Sequence, residues 1–428
     1  MGATNSPAAS YPAAFPGLLR TRRRPGTRTL VGGGVFVWVV ALAIVSLGLS
    51  AEGPDWGVRL APAPSGVGAL ASVVRGHGVG WEQRIREGDR VLAVDDQDAV
   101  GFVGRDLGPA QRLIVVDALG RSRVASAPRP ARPLILALAL VGLLFAFLGL
   151  AVHRWASDPT LGTIFLLFCG ASATALAVVP GALMGSAWAN FLAASSATIA
   201  APAFAAVFLW FPRPLGRARP AAGLLAAVTL GLVAPIVVIF ARGAGIPPLL
   251  DGLLFAWLAA NLLGGALLLA ARAISSVSRH TLAPIVIGAG LGVTPLALLT
   301  ALPHTLGQPP LVRVEVASLG AVAIPLSFAY AISRHRLFAL DAQLRGLLVR
   351  LCAATATVSV FVVVWLALRT TWVDDQLRIV TAVAVAALAA PLLSGRPGGR
   401  SGCSRSWPDR RSVSSPPGGP GAAGRRRG

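Results

Sequence analysis

Apolar residues in this chain gather into runs of about 18 or more, set apart by short gaps that carry arginine, which is the pattern of bilayer-spanning helices. The first run is Leu30–Ala51. Further runs fall at Pro133–Val152, Leu161–Met184, Trp188–Phe211, Ala221–Ala241, Leu249–Ala271, Leu282–Leu302 and Val314–Ile332, and two more at Leu351–Leu368 and Ile379–Leu393. At 1.5 Å per residue each approaches or reaches the length that crosses about 30 Å of hydrocarbon. The pattern predicts an all-α polytopic membrane protein with about ten transmembrane helices: one at 30–51, seven within 133–332 and two within 351–393.

The gaps predict an orientation. Residues 1–29 are polar and basic, with Arg20, Arg22, Arg23, Arg24 and Arg28 close to the first run. That run has the flank of a secretory signal, but a signal core is about 7–15 residues, so an uncleaved signal anchor with the N-terminus inside is expected. Alternate gaps then hold His153-Arg154, Arg213/Arg217/Arg219, Arg272/Arg279 and Arg334/Arg336/Arg345, and the intervening gaps hold less: none at Gly185–Ala187, then Arg242, Arg313 and Arg369. Basic residues collect in cytoplasmic loops, so both termini are placed in the cytoplasm of a multi-pass plasma-membrane protein. Trp155, Trp188, Trp210 and Trp372 fall near the expected interfaces, where amphipathic rings are favoured.

The segment 52–132 differs. Asp, Glu and Gln return and β-branched runs appear, which predicts a small extracytoplasmic domain inserted between the first two helices. A Gly-Asp turn leads into the strand Arg90–Val94, Asp95-Asp96 makes the next turn, and Leu113–Val116 and Ser122–Val124 read as later strands. Residues 394–428 are rich in Gly, Pro, Ser and Arg and lack a period, so they are expected to be disordered.

Composition narrows the class. Charged residues make up 13% and the mean hydropathy is +0.70, so about half the charge of a soluble domain is missing. The net charge of +21 is carried by 38 arginines, with no lysine. Loop topology accounts for it, and no basic soluble face is available for nucleic acid. Cys169, Cys352 and Cys403 are scattered without metal-ligand or disulfide spacing. No catalytic, cofactor or metal site is expected.

Two stretches carry a resemblance. Ile85–Gln97, within RIREGDRVLAVDDQDAV, resembles the glycine–aspartate turn and strand of PDZ domains, with Asp96 where that family has Asn or Gly. The resemblance implies a β-rich PDZ-like domain that binds an extended peptide by strand addition, with Gly57, Val58, Arg59 and Leu60 in place of the carboxylate-binding loop. Tyr330–Arg350 (YAISRHRLFALDAQLRGLLVR) resembles the linker of multi-span bacterial sensor histidine kinases, the competence-type quorum sensors among them, and Phe165–Ala177 resembles one of their spans. The span–PDZ–bundle order is similar over about residues 30–393. This implies a membrane sensor, a homodimer, with a peptide or small-molecule ligand at the outer domain and a signalling linker at 333–350 carried by Arg334, Arg336, Leu337, Phe338, Asp341 and Arg345. By amphipathic pattern alone, the same stretch reads as a helix lying on the inner leaflet.

The kinase itself is missing. None of His77, His153, His280, His304 and His335 sits in a phospho-acceptor motif, no Gly-rich nucleotide lid follows, and Gly288–Gly292 (GAGLG) falls inside a span, where small residues serve helix packing. The chain is expected not to be an enzyme as it stands. The abrupt change at Ser394 suggests a frameshifted or truncated sensor kinase, or a stand-alone sensor acting through a separate kinase. Two alternatives belong to other classes: a membrane-anchored scaffold that captures C-terminal peptides, and a transporter. An intramembrane protease lacks its His-Glu-x-x-His or Ser/His constellation.

Overall fold

The computed structural model describes residues 26–369 apart from 53, 65, 76–78, 105–106, 108–109, 111, 118, 127–131, 157, 243–245, 276–278 and 336–341. Among the described residues, nine helices are long and apolar enough to cross a membrane. They are α1 (Gly26–Glu52), α3 (Arg132–Trp155), α4 (Pro159–Leu183), α5 (Ala187–Trp210), α6 (Ala218–Ala241) and α7 (Pro248–Ser275), then the composite α8–α9, the composite α10–α11, and α12 (Ala342–Arg369). The chain is mostly helical and has the build of a multi-pass membrane protein. The expected span Ile379–Leu393 lies outside the described residues.

The outward faces of these helices are apolar. Leu224, Leu230, Leu267, Ile287 and Leu291 are each more than 60% exposed. Water would not tolerate so many large side chains on one surface, whereas lipid does. Inside, small residues let helices approach. Gly142 on α3 leaves room for the Ala173 carbonyl of α4, where an added Cβ would sit at 3.1 Å. Gly265 on α7 does the same for the Phe204 ring at 2.8 Å. Both follow the small-residue rule of membrane packing. Between the glycines stands an aromatic cluster: Phe165 meets Phe328 at 5.0 Å, Phe168 meets Phe204 at 5.4 Å, and Phe204 meets Phe208 at 5.0 Å.

Polar groups fasten the helix ends and their breaks. Asp158 caps α4 by accepting from Thr160 N–H at 2.8 Å, with Pro159 at the first helical position. Just after Pro180 in α4, the Gly181 N–H donates to Ser46 Oγ of α1 at 2.9 Å in a fully buried contact. Arg272 at the end of α7 donates to the Phe208 carbonyl at 2.6 Å and to that of Arg213. The composite α8–α9 runs Arg279–Thr294, then a π-helical stretch Pro295–Ala301, then Leu302–Thr305. The wider turn starts at Pro295, whose ring and missing N–H disrupt the regular ladder. The composite α10–α11 joins Val314–Leu319 to Ala323–His335 through one 3₁₀ turn.

Between α1 and α3 lies a single antiparallel sheet in the order β1-β2-β3-β5-β6, with β4 paired to β3. Its strands are β1 (Val58–Pro62), β2 (Ala69–Val74), β3 (Arg90–Val94), β4 (Gln97–Asp98), β5 (Arg112–Val116) and β6 (Ser122–Ser126), with the one-turn helix α2 (Val79–Glu82) between β2 and β3. Strand β3 falls on the run RVLAV that predicted it, and the turn after it is Asp95-Asp96, both at positive φ (48° and 65°). That is the type I′ geometry a two-residue hairpin needs. Alternation makes the core: Leu113 and Val115 of β5 are buried and Arg112, Ile114 and Val116 are not. Trp56, Ile85 and Leu113 are fully buried, each contributing about 1.5–3 kcal/mol. The Trp56 indole donates to the Ala110 carbonyl at 2.7 Å.

Candidate functional site

The sheet domain sits on one end of the bundle. Asp55 N–H donates to the Met184 carbonyl in the α4–α5 turn at 2.7 Å. Gly185 in that turn adopts φ +79°, and a Cβ there would collide with the Asp55 carbonyl and reach Val79 N at 3.1 Å. Only glycine fits that combination of backbone and space.

At the same end a cavity of about 660 Å³ opens into the bundle. On α5 its lining runs from Ala187 to Ala201, about 21 Å at 1.5 Å per residue. The reason is local. That helix reads AWANFLAASSATIAAPAFAAVFLW, and its alanines at 187, 194, 197 and 201 are too small to fill the space that bulkier neighbours hold open. Leu176, Val179, Leu262, Val293 and Ile324 line the walls, and Phe145 and Phe168 lie at the deep end. Below them, the aromatic cluster around Phe204, Phe208 and Phe328 fills the bundle.

The mouth is polar. Gln83 of the sheet domain, Asn190 of α5, Asp251 of α7, and Arg313 and Glu315 at the start of α10 all line it. Asp251 Oδ2 lies 2.7 Å from His304 Nε2, which ties α7 to α9. The His304 ring stacks on Phe255 at 4.2 Å. Arg313 donates to Glu315 Oε1 at 3.1 Å, and the Glu315 carboxylate is nearly buried. Asp251 and Glu315 stand in the first turns of their helices, and both line this one cavity. The signal for Asp251–His304 is that both lie at loop ends on the same side of consecutive spans.

The stretch expected to hold a peptide carboxylate is otherwise engaged. Gly57 N–H donates to Asp55 Oδ1 at 2.8 Å, and Val58, Arg59 and Leu60 form β1. One edge of that strand pairs with β2. On the other, the Val58 and Leu60 carbonyls accept from Leu107 N–H at 3.0 Å and Gly104 N–H at 2.9 Å. Arg59 is exposed, and its carbonyl accepts from Ser72 Oγ at 3.0 Å.

Of the linker residues, Arg334 lies in the last turn of α11 and Arg345 in the first turns of α12, while Arg336, Leu337, Phe338 and Asp341 lie outside the described residues. Helix α12 begins at Ala342, not at the apolar boundary Leu351, because AQLRGLLVR winds continuously into the span. Gly288 and Gly292 of the GAGLG stretch face α11, where a Cβ on Gly292 would sit 2.7 Å from Ile324.

Among the described residues, no group of three or more His, Cys, Asp or Glu could hold a metal. Cys169 and Cys352 are buried and free. The chain matches no protein-family model, no curated protein and no solved structure.

Proposed function

We propose that the chain is a membrane receptor of the sensory kind, in which a ligand entering the bundle cavity moves α10–α11 and, through the linker, α12. The observation that carries this reading is the wall the cavity shares with α10–α11. Glu315, Ser318, Ala321 and Ile324 line it, and the helix they belong to runs on to His335 at the edge of the linker. A ligand shifts such an equilibrium only by binding two arrangements unequally, and a site formed between helices can do so. The filled aromatic half of the bundle favours reception over passage.

The remaining parts fit the same reading. The arginine bias puts the cavity mouth and the sheet domain outside and the linker inside. The span–domain–bundle order resembles the input half of a multi-span sensor histidine kinase with a PDZ-like outer domain.

Filling the cavity from within tests the mechanism. Ala197→Trp places an indole in the space a ligand would take. Hydrogen exchange of peptides covering 342–350 should change relative to wild type, while peptides covering β3 and β5 stay as protected as before. Unchanged exchange at 342–350 in a folded Ala197→Trp protein would remove the proposed route.

A further inference from the structure

The shape and the charge of the cavity together name a ligand class. The space of about 660 Å³ reaches about 21 Å along α5, long enough for an extended hydrocarbon chain. The walls below the mouth are apolar, which suits a chain and not a polar body.

The mouth is not electrically balanced. Among the described residues, two carboxylates, Asp251 and Glu315, and one guanidinium, Arg313, are the charged side chains lining the cavity, so carboxylates outnumber cations there. Arg313 donates to Glu315 at 3.1 Å, and Asp251 Oδ2 lies 2.7 Å from His304 Nε2. Phe255 lies one helical turn from Asp251 on the same face of α7, and Phe191 and Phe240 stack at 4.5 Å across α5 and α6. A carboxylate next to aromatic faces is the arrangement that holds an alkylammonium, by charge and by cation–π attraction.

We infer that the cavity binds a cationic amphiphile, with a hydrocarbon chain running down towards Phe168 and its amine or quaternary ammonium head held at the mouth by Asp251 and Phe255. The inference rests on the proposed reading of the cavity as the ligand site.

Photolabelling of the full chain in nanodiscs tests this. Three twelve-carbon probes carry a diazirine at the chain end and differ only in the head: trimethylammonium, hydroxyl or sulfate. The ammonium probe should label α4 and α5 near Phe168 and Ala201, half-saturating at about tenfold lower concentration than the alcohol, with the sulfate weakest. Asp251→Asn should bring the ammonium probe to the level of the alcohol and leave the alcohol unchanged, and Asp251→Glu should keep the preference. If the alcohol labels these positions as well as the ammonium probe does, or if Asp251→Asn keeps the preference, the head-group assignment is wrong and the cavity reading survives. If none of the three labels the deep positions, both are wrong.

Discussion

Replacing Gly288 by alanine should weaken the protein, while the same replacement two residues on should not. The Gly288 position faces α11: an added Cβ would collide with the Ser327 side chain and sit 2.6 Å from the Ala323 carbonyl oxygen. Ser327 cannot swing aside cheaply, because it is buried and its hydroxyl donates to the Ile324 carbonyl at 2.7 Å. Restoring an ordinary contact of 3.4 Å requires α8 and α11 to part by at least about 0.8 Å at the Ala323 carbonyl and by more at the Ser327 Cβ, which no rotamer change can move. Overpacking of this kind costs about 1–3 kcal/mol. Gly290, by contrast, has nothing within 4 Å of an added Cβ. There alanine brings only its better helix propensity, up to about 1 kcal/mol. Both variants gain that propensity, so it cancels in their difference. Gly288→Ala should be about 1–3 kcal/mol less stable than Gly290→Ala, a shift of about 5- to 140-fold in the unfolding equilibrium. Tryptophan fluorescence during unfolding in mixed micelles reads this directly. Equal stability within about 0.3 kcal/mol would refute the packing argument.

Two further predictions concern polar groups. Ser46→Ala removes the acceptor of the buried Gly181 N–H and should loosen α1 from α4 by about 0.6–2 kcal/mol, read in the same unfolding assay; a loss below about 0.3 kcal/mol would make the contact incidental. In the β5–β6 turn, the Arg121 N–H, the Arg121 side chain and the Leu119 N–H all donate to the Asp117 carboxylate at 2.9 Å, and they hold it below its ordinary pKa, the Arg121 backbone bond foremost. The stabilisation is therefore complete above the unfolded value of about 3.9 and is lost as pH falls through the lower folded value. Hydrogen exchange over 117–121, corrected for the intrinsic rate, should show wild type better protected than Asp117→Asn at about pH 5, with the gap closing as pH falls below the ordinary aspartate range. A gap that stays constant with pH would place the protection elsewhere.

Local signals in the chain were readable, and pairings across it were not. Strand β3 and the Asp95-Asp96 turn depend on five adjacent residues and a backbone that aspartate tolerates, so RVLAVDD was enough. The long helices follow from run length alone, because lipid allows no other way to satisfy the backbone. The amphipathic stretch before Leu351 and the apolar run after it are one helix from Ala342, because apolarity marks where a helix enters lipid and not where it begins. Gly57 looked like an open loop because the segment that covers β1, near Gly104 and Leu107, lies far along the chain. Asp251 and His304 are 53 residues apart, so no local pattern pairs them. The cavity was the hardest to see, because it is made by what the alanines of α5 lack. A span so rich in Ala among neighbours rich in Leu and Phe is the clue that a void lies beside it.

The central claim is that the cavity opens outwards, beside the sheet domain. Single cysteines at the mouth (Ala187→Cys) and in the exposed turn before α6 (Gly216→Cys), each in a chain with Cys169, Cys352 and Cys403 changed to alanine, can be treated with a membrane-impermeant maleimide on intact cells. The residue at 187 should react from outside, and the one at 216 only after the membrane is opened. Reaction at 216 on intact cells, with 187 protected until lysis, would turn the molecule over and contradict the account.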